Sequence, residues 1–488
     1  MVRIPKRLSR LLVSAVTLVG FGLLISAWIE KPAPASTPNV VLFFMDDLGY
    51  GDLSSTGALG YTTPNLDRMA AEGTRFTNFL VAQAVCSASR AALLTGCYPN
   101  RLGLYGALGP GSPIALNPKE ETLAELLKER GYATGIFGKW HLGDRQPFLP
   151  LQQGFDEYYG VPYSHDMWPL HPAQAQANYP PLRWIEGNEP KQEIRNLEDA
   201  AQITSTVTER AVSFIRKHKK NPFFLYVPHP LPHVPLAASA RFKGKSARGI
   251  FGDVLMELDW SVGQIMDELK QQGLDKNTIV LFISDNGPWL NYGDHAGSSG
   301  GFREGKGTSF EGGHRVPFIV RWPGVVPAGR VSNKLLTALD ILPTVAKLCG
   351  AKLPKQPIDG IDWIALLKGD DTVTPRTNFY YYYRKNSLEA VRQGEWKLVF
   401  EHPGRTYEGL MPGQGGKPGP SPEDHAFTTA LYDLRRDPGE RYDVREQHPD
   451  VMAKLEKLAE EARVDLGDDL QKRTGANVRE PGRASNAN

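Results

Sequence analysis

Two pairs of adjacent oxygen-bearing side chains each follow an apolar run of the sequence. Asp46 and Asp47 form one pair, and Asp285 and Asn286 form the other. Neighbouring carboxylates repel each other unless a cation lies between them, and carboxylate and amide oxygens are the ligands that Ca²⁺ and Mg²⁺ prefer. A single Asp at such a place is more often a helix cap or a turn residue. Because two pairs occur in one chain, the sequence predicts that all four side chains bind one hard metal ion.

Cationic and proton-carrying side chains follow two further apolar runs. Lys139 and His141 lie in the sequence Gly-Lys-Trp-His-Leu-Gly, and His233 lies in His-Val-Pro. A lone histidine is more often structural, and a lone lysine is more often solvated. Ligands of open parallel sheets bind beyond the carboxyl ends of the strands. We therefore expect these groups to lie at the same sheet edge as the acidic pairs.

The segment from Cys86 to Gly96 places a thiol and a guanidinium on one predicted helix. Its later half has helical spacing and Gly96 ends it, which puts Cys86 near a helix N-terminus, where backbone amides favour anions. Arg90 follows four residues later, on the same helix face. On the residues alone, Cys86 is either a buried structural thiol or a thiolate nucleophile activated by its helix.

The elements that must position these groups alternate between strands and helices. Apolar runs typical of buried strands occur at 40–44, 132–137, 222–227 and 278–284. Helical patterns run from Pro64 to the terminating Gly73, over 121–130 and over 255–272. Runs that are apolar on both faces and separated by helices indicate a mostly parallel sheet covered on both sides. The predicted fold class is α/β, with a large, mostly parallel mixed sheet sandwiched by helices.

The character of the chain changes beyond Thr374. Strand patterns occur at 379–383 and 390–400, a turn at Asp437-Pro438-Gly439, and a helical pattern at 450–463. This order indicates a smaller antiparallel sheet with one helix. The predicted organisation is an export segment at 1–35, a catalytic domain at 36–375, a C-terminal α+β subdomain at 376–470 and a disordered polar tail at 471–488.

Residues 1–35 have the pattern of an export segment. Four basic residues precede the uncharged stretch 11–29, and Ala33-Pro34-Ala35 is a cleavage pattern. The stretch has 19 residues, just enough to cross a bilayer, so a cleaved signal peptide and an N-terminal membrane anchor remain alternatives. Both place the remaining chain in the periplasm or outside the cell.

Charge and cysteine content exclude two classes of protein. Residues 1–35 hold five of the 56 Lys and Arg and one of the 54 Asp and Glu, so the rest of the chain has a net charge of −2. A nucleic-acid partner is not expected at that charge. Three cysteines allow one disulfide at most, so the chain is not a disulfide-built scaffold.

The Cys86 segment resembles the signature of the type I sulfatases, CxPxR or CxAxR followed by Thr-Gly. Further motifs in the order of that family are Asp46-Asp47, Gly138-Lys139-Trp140-His141, Tyr163-Ser164-His165-Asp166, His233-Val234-Pro235, Asp285-Asn286-Gly287, Gly305-Lys306-Gly307 and Leu431-Tyr432-Asp433-Leu434. The resemblance covers about 39–443 and is nearest to the arylsulfatase A and N-acetylgalactosamine-6-sulfatase branch. The sequence departs from it at Ala88, where Pro is usual, and at Cys97, where many relatives carry Arg.

The resemblance implies an alkaline phosphatase-like fold and a sulfuric ester hydrolase. A dedicated maturation enzyme would oxidise Cys86 to formylglycine. The calcium-bound hydrate would attack the sulfur of an aryl sulfate or a sulfated carbohydrate and release alcohol and inorganic sulfate. Calcium, rather than magnesium, would be held by Asp46, Asp47, Asp285, Asn286 and the residue at Cys86. Implied roles are diol stabilisation for Arg90, proton transfer for His141, sulfate binding for Lys139, Lys306 and Ser164, and leaving-group protonation or bridging-oxygen binding for His233.

Two other functions remain open on the sequence. A phosphate or phosphonate monoester hydrolase of the same superfamily would use a metal and two lysines in a similar way. A non-catalytic binder of sulfated glycans would result if Cys86 were never oxidised. The physiological substrate and the oligomeric state are not indicated by any pattern.

Overall fold

The computed structural model describes residues 37–171 and 177–484, and the predicted export segment lies outside them. Within these two ranges, no helix has both the length and the hydropathy needed to cross a bilayer.

The strands up to residue 337 are β1 (Asn39–Met45), β2 (Thr74–Phe76), β3 (Phe79–Leu80), β4 (Ile114–Ala115), β5 (Ala133–Lys139), β6 (Glu157–Val161), β7 (Arg183–Glu186), β8 (Glu189–Glu193), β9 (Phe223–Val227), β10 (Thr278–Ser284), β11 (Phe318–Arg321), β12 (Arg330–Ser332) and β13 (Leu336–Thr337). The helices are α1 (Pro64–Ala71), α2 (Cys86–Thr95), α3 (Leu123–Lys128), α4 (Leu197–Ala200), α5 (Ile203–His218), α6 (Ile250–Gln271), α7 (Glu311–His314), α8 (Ile341–Leu348) and α9 (Ile364–Leu367).

Ten of these strands form the central sheet, in the order β12-β2-β11-β10-β1-β9-β5-β6-β7-β8. The five strands from β10 to β6 run parallel to one another. Strand β11 pairs antiparallel with β10 and β2, and β7 pairs antiparallel with β6 and β8. The predicted sheet, mostly parallel with antiparallel additions, is confirmed.

Strand β1 shows why both faces of the sheet need helices. All seven of its residues are buried, and side chains alternate between the two faces of a strand. Val40, Leu42 and Phe44 pack into a core with residues of α2, α3 and α8. Val41, Phe43 and Met45 pack into the opposite core with α1, α5 and α6. The predicted sandwich of helices around the sheet is therefore confirmed.

The C-terminal part contains a second, antiparallel sheet. Its elements are β14 (Asn378–Tyr383), β15 (Ser387–Gln393), β16 (Trp396–Val399), β17 (His402–Gly404), β18 (His425–Phe427), β19 (Ala430–Asp433), α10 (Pro449–Leu466), β20 (Gly467–Asp468), β21 (Arg473–Thr474) and β22 (Gly482–Arg483). Strands β14, β15, β16 and β19 form the sheet, and α10 packs its apolar side against it. The run predicted as one strand at 390–400 is two strands, because the chain turns at Gly394, where φ is 59°.

The polar tail differs from its prediction, because it is ordered at least to residue 484. Strand β21 pairs with β20, and β22 pairs with β4, far earlier in the chain. Arg479 forms a bidentate ion pair with Glu120, and its Nη2 lies 3.1 Å from the Cys97 sulfur. The tail has no large apolar residue beyond Val478, so its composition resembles that of a disordered chain, whereas its order comes from hydrogen bonds to distant partners. All three cysteines are buried and unpaired.

A buried charge network joins the C-terminal sheet to the segment around α7. The Lys397 ammonium is fully buried, 2.7 Å from the Glu440 carboxylate and 3.4 Å from Glu311. Arg315 and Arg392 contact the same Glu311 carboxylate. Buried charges are tolerated only when they are paired, so this network fixes how the C-terminal sheet and the α7 segment pack together.

Replacing Lys397 with Ala should lower the free energy of unfolding by about 3–5 kcal/mol, because Glu440 would stay buried without its ion pair. Urea unfolding followed by circular dichroism measures the change. The matched control is Lys454→Ala, whose ammonium pairs with Asp450 on the surface at 67% exposure, and which should cost about 0.5 kcal/mol or less. Equal shifts for the two variants would contradict the importance of the buried network.

Candidate active site and metal centre

The parallel pairing of β1 and β10 brings the two acidic pairs together. The strands pair in register up to Met45 and Ser284, so the residues that follow leave the sheet side by side. The Asp47 N–H donates to Asp285 Oδ1 at 3.1 Å, and the Asn286 amide donates to Asp47 Oδ1 at 2.7 Å. All four side chains are buried.

Each of the three carboxylates contacts a cation from a different element. Lys139, the last residue of β5, donates to Asp46 Oδ2 at 2.5 Å. Lys306, in the glycine-rich loop 300–307, lies 2.7 Å from Asp47 Oδ1. Arg90 of α2 donates to Asp285 Oδ2 at 2.7 Å. Because the solvent is excluded, these ion pairs are far stronger than they would be in water.

The neighbouring cations lower the pKa of the carboxyl groups, whereas burial raises it. Burial opposes ionisation of Asp46, but Lys139, His233, Arg90 and Lys306 together hold its pKa well below the usual range. Burial and the neighbouring Asp46 charge raise the pKa of Asp285 to about 7. One further positive charge near Asp285 would favour its ionised form.

The donor atoms fit a hard metal ion. Asp46 Oδ1 and Asn286 Oδ1 are buried and have no hydrogen-bond partner among the described residues, and such oxygens are costly unless something binds them. Asp46, Asp47 and His233 each offer a ligand atom, and these atoms lie within 4.8 Å of one another. The sequence placed His233 at the leaving group and not in this cluster. The four predicted oxygen ligands are brought together, although both Asp285 oxygens already have partners, and the fifth predicted ligand, the residue at Cys86, stays a prediction.

Cys86 is the first residue of α2, as the helical spacing predicted. The N-cap residue is Val85, whose side chain makes no capping hydrogen bond. The first amide groups of α2 are therefore not satisfied by a capping side chain. The thiol is buried, and burial raises its pKa although Lys139 and Lys306 oppose the shift. A thiol that resists ionisation is a poor nucleophile at neutral pH, which disfavours the simple thiolate mechanism.

The two predicted proton carriers each donate one ring N–H to a backbone carbonyl. A carbonyl oxygen only accepts, so His141 carries its proton on Nε2, which lies 2.7 Å from the Leu108 oxygen. Burial, with Lys139 and Arg90, holds the pKa of His141 well below its ordinary value. His233 donates Nδ1–H to the Val234 oxygen at 2.5 Å, and its Nε2 faces the Asp47 carboxylate at 3.5 Å.

Ser164 lies where the sequence predicted it, and one further aromatic residue lies at the site. The Ser164 hydroxyl accepts a hydrogen bond from the Lys139 ammonium at 3.0 Å. The Trp289 ring lies 4.5 Å from Lys306 Nζ and 5.4 Å from the His233 ring. Sequence reasoning missed Trp289, and its position three residues after Asn286 was the only available signal.

Fold and site together define an α/β protein whose buried acidic cluster is surrounded by cations. Comparison with known proteins defines the family. The model of the sulfatase family matches residues 38–351, and that of the C-terminal region of aryl-sulfatase matches 374–483. The chain belongs to the sulfatase family, and it is a sulfuric ester hydrolase.

Relatives and solved structures agree with this assignment. The chain is 42% identical to arylsulfatase A of Bos taurus over 86% of this chain and 85% of that protein. It is 39% identical to N-acetylgalactosamine-6-sulfatase of Mus musculus, over 87% and 86%. The crystal structure of the PsFucS1 sulfatase from Pseudoalteromonas sp. matches with a TM-score of 0.78 and 30% identity, over 87% and 89%. The predicted alkaline phosphatase-like fold is confirmed.

Calcium should raise the melting temperature of the wild-type protein, because an ion that binds only the folded state stabilises it by about 2.7 kcal/mol at a hundredfold excess over Kd. Asp46→Asn should remove most of this calcium-dependent shift. Asp52→Asn is the control, since Asp52 is equally buried but accepts hydrogen bonds from the Gly49 and Ser298 amides. If Asp46→Asn kept the full shift, the metal would have to bind elsewhere.

Proposed function

We propose that this sulfatase cleaves sulfate esters with a formylglycine made from Cys86 and a Ca²⁺ ion held by Asp46, Asp47, Asp285 and Asn286. The observation that carries the proposal is the position of Cys86. It begins a buried helix, within electrostatic reach of Lys139, Lys306 and two of these carboxylates. The hydrated aldehyde would supply an attacking hydroxyl, and Ca²⁺ would supply the positive charge that lowers its pKa.

Two lysines and a serine would bind the sulfate group. Lys139 and Lys306 are almost fully buried, at 0% and 5% exposure, so their charges act on a bound anion without much screening by water. Ser164 adds a hydroxyl beside Lys139. Such fixed donors stabilise the charge that builds up on sulfate oxygens during attack at sulfur.

The two histidines would handle protons at opposite ends of the reaction. His233 keeps Nδ1–H on the Val234 carbonyl, so the imidazolium form, with a second proton on Nε2, would pass that second proton to the departing alcohol. His141 keeps Nε2–H on the Leu108 carbonyl, and its buried Nδ1 has no partner among the residues described here. His141 Nδ1 is therefore the atom that would accept a proton from the nucleophile. Arg90, held by Asp285 and the Lys139 carbonyl, would steady that nucleophile.

We infer a sulfated carbohydrate as the substrate class, with aryl sulfates as accessible model substrates. One relative is named for the 6-sulfate of N-acetylgalactosamine, and a structural match was solved with a neocarrahexaose. The inferred partners are such a substrate and the formylglycine-generating maturation enzyme, in a protein exported to the periplasm or beyond.

Mass spectrometry of tryptic peptides tests the modification directly. Cleavage at Arg75 and Arg90 releases peptide 76–90, in which Cys86 is the only cysteine. In protein made together with the maturation enzyme, this peptide should lose the thiol and gain the aldehyde. Peptide 91–101 contains Cys97 and is the internal control, which should keep its thiol. An intact thiol in both peptides would remove the proposed mechanism and favour a glycan binder.

Replacing Lys306 with Met should lower kcat/KM for p-nitrophenyl sulfate by about 10²–10³, the effect of losing one preorganised group that stabilises the transition state. Lys355→Met is the control, because that side chain is 90% exposed. The same assay with p-nitrophenyl phosphate distinguishes the two ester classes. Faster turnover of the phosphate by the wild-type enzyme would point to a phosphate monoester hydrolase instead.

A further inference from the structure

We propose that a short segment of the C-terminal part, Arg405-Thr406-Tyr407, acts as a latch that positions Lys306 for sulfate binding. The inference rests on the proposed role of Lys306. The latch lies far from Lys306 in sequence, about 100 residues later, and follows strand β17. It meets the glycine-rich loop that carries the lysine.

The Tyr407 hydroxyl holds the backbone of Lys306 itself. It donates a hydrogen bond to the Lys306 carbonyl at 2.6 Å, and Arg405 Nη1 lies 3.5 Å from the same oxygen and 3.3 Å from the hydroxyl. On the other side, the Lys306 N–H donates to the Pro288 carbonyl at 2.9 Å. The peptide groups on both sides of Lys306 are thus fixed, so its ammonium starts from a defined position.

A second contact holds the loop two residues earlier. The buried Glu304 carboxylate accepts hydrogen bonds from the Thr406 hydroxyl at 2.5 Å and the Tyr407 N–H at 2.8 Å. Glu304 has a φ of 58°, a left-handed conformation that costs energy for a residue other than glycine. The latch supplies interactions that stabilise this conformation, and the conformation directs the chain toward Lys306.

The latch is itself anchored and lies close to Gly307, the residue after Lys306. Arg405 donates to the Glu423 carboxylate, which also binds Arg384. Gly307 has a φ of 81°, which favours glycine, and a side chain there would lie 2.6 Å from Arg405 Nη1 and 3.0 Å from the Tyr383 hydroxyl. Tyr383 in turn packs against the small cluster of Val85, Cys86 and Ala88. Tyr407 therefore acts through Lys306 as a positioning residue, and it touches neither substrate nor metal in this scheme.

Calorimetric titration with sodium sulfate, on the calcium-loaded and matured enzyme, tests the latch. Tyr407→Phe should weaken sulfate binding and lower kcat/KM for p-nitrophenyl sulfate by about three- to tenfold, the range for one lost hydrogen bond. Tyr382→Phe is the matched control. Its hydroxyl also donates to backbone carbonyls of the C-terminal part, at Ala462 and Gly467, and within the described part of the chain it has no hydrogen bond to the loop.

The two variants should lose thermal stability to a similar degree, whereas only Tyr407→Phe should lose sulfate affinity. Equal sulfate affinities in the two variants would overturn the latch. If Tyr407→Phe does not fold, Glu304→Gln, which weakens the second contact, is measured in its place with the same expectation. Lys306→Met separates the two proposals: unchanged sulfate affinity in that variant would refute the role of Lys306, whereas a large loss there without any loss in Tyr407→Phe would refute the latch alone.

Discussion

Three carboxylates are buried at one edge of the central sheet, and each of them needs a counter-charge. Asp46, Asp47 and Asp285 lie together because β1 and β10 are parallel and in register. An isolated buried carboxylate would cost several kcal/mol. The three cations that offset this cost come from a helix, a strand and a loop. The need to neutralise these three groups therefore determines where α2, the end of β5 and the glycine-rich loop can lie.

Glycines at the strand ends make this convergence possible. At Gly138, just before Lys139, φ is 132° and a side chain would lie 2.1 Å from the Pro228 carbonyl. At Gly287, just after Asn286, a side chain would lie 1.8 Å from the Gly312 carbonyl. Any larger residue would push the backbones apart. The ion pairs between elements thus depend on close backbone approach as much as on the charged residues.

The parts of the site that could be predicted from sequence follow a simple rule. Asp46, Asp285 and Lys139 could be placed because each ends an apolar run, and parallel strand ends meet at one edge. No such rule applies to Tyr407 or to the ordered tail. Their partners lie about 100 to 360 residues away, and a polar side chain carries no signal of which distant group it will bind. His233 faces Asp47 because of the conformation of the loop that carries it, and that conformation could not be predicted from the sequence.

The charge balance of the site has a consequence for how ligands bind. Asp46, Asp47 and Asp285 together offset the charges of Arg90, Lys139 and Lys306, so the six groups sum to about zero. A bound divalent cation would leave two positive charges in a buried region, which is costly unless an anion also binds. Binding of cation and anion would then be coupled, and by linkage each would raise the affinity for the other. Lys139 and Lys306 would be released in part from their carboxylates at the same time, so they become available to sulfate oxygens only in the site that holds the metal. The same charges that stabilise the folded site would thus favour an anionic ester over a neutral one.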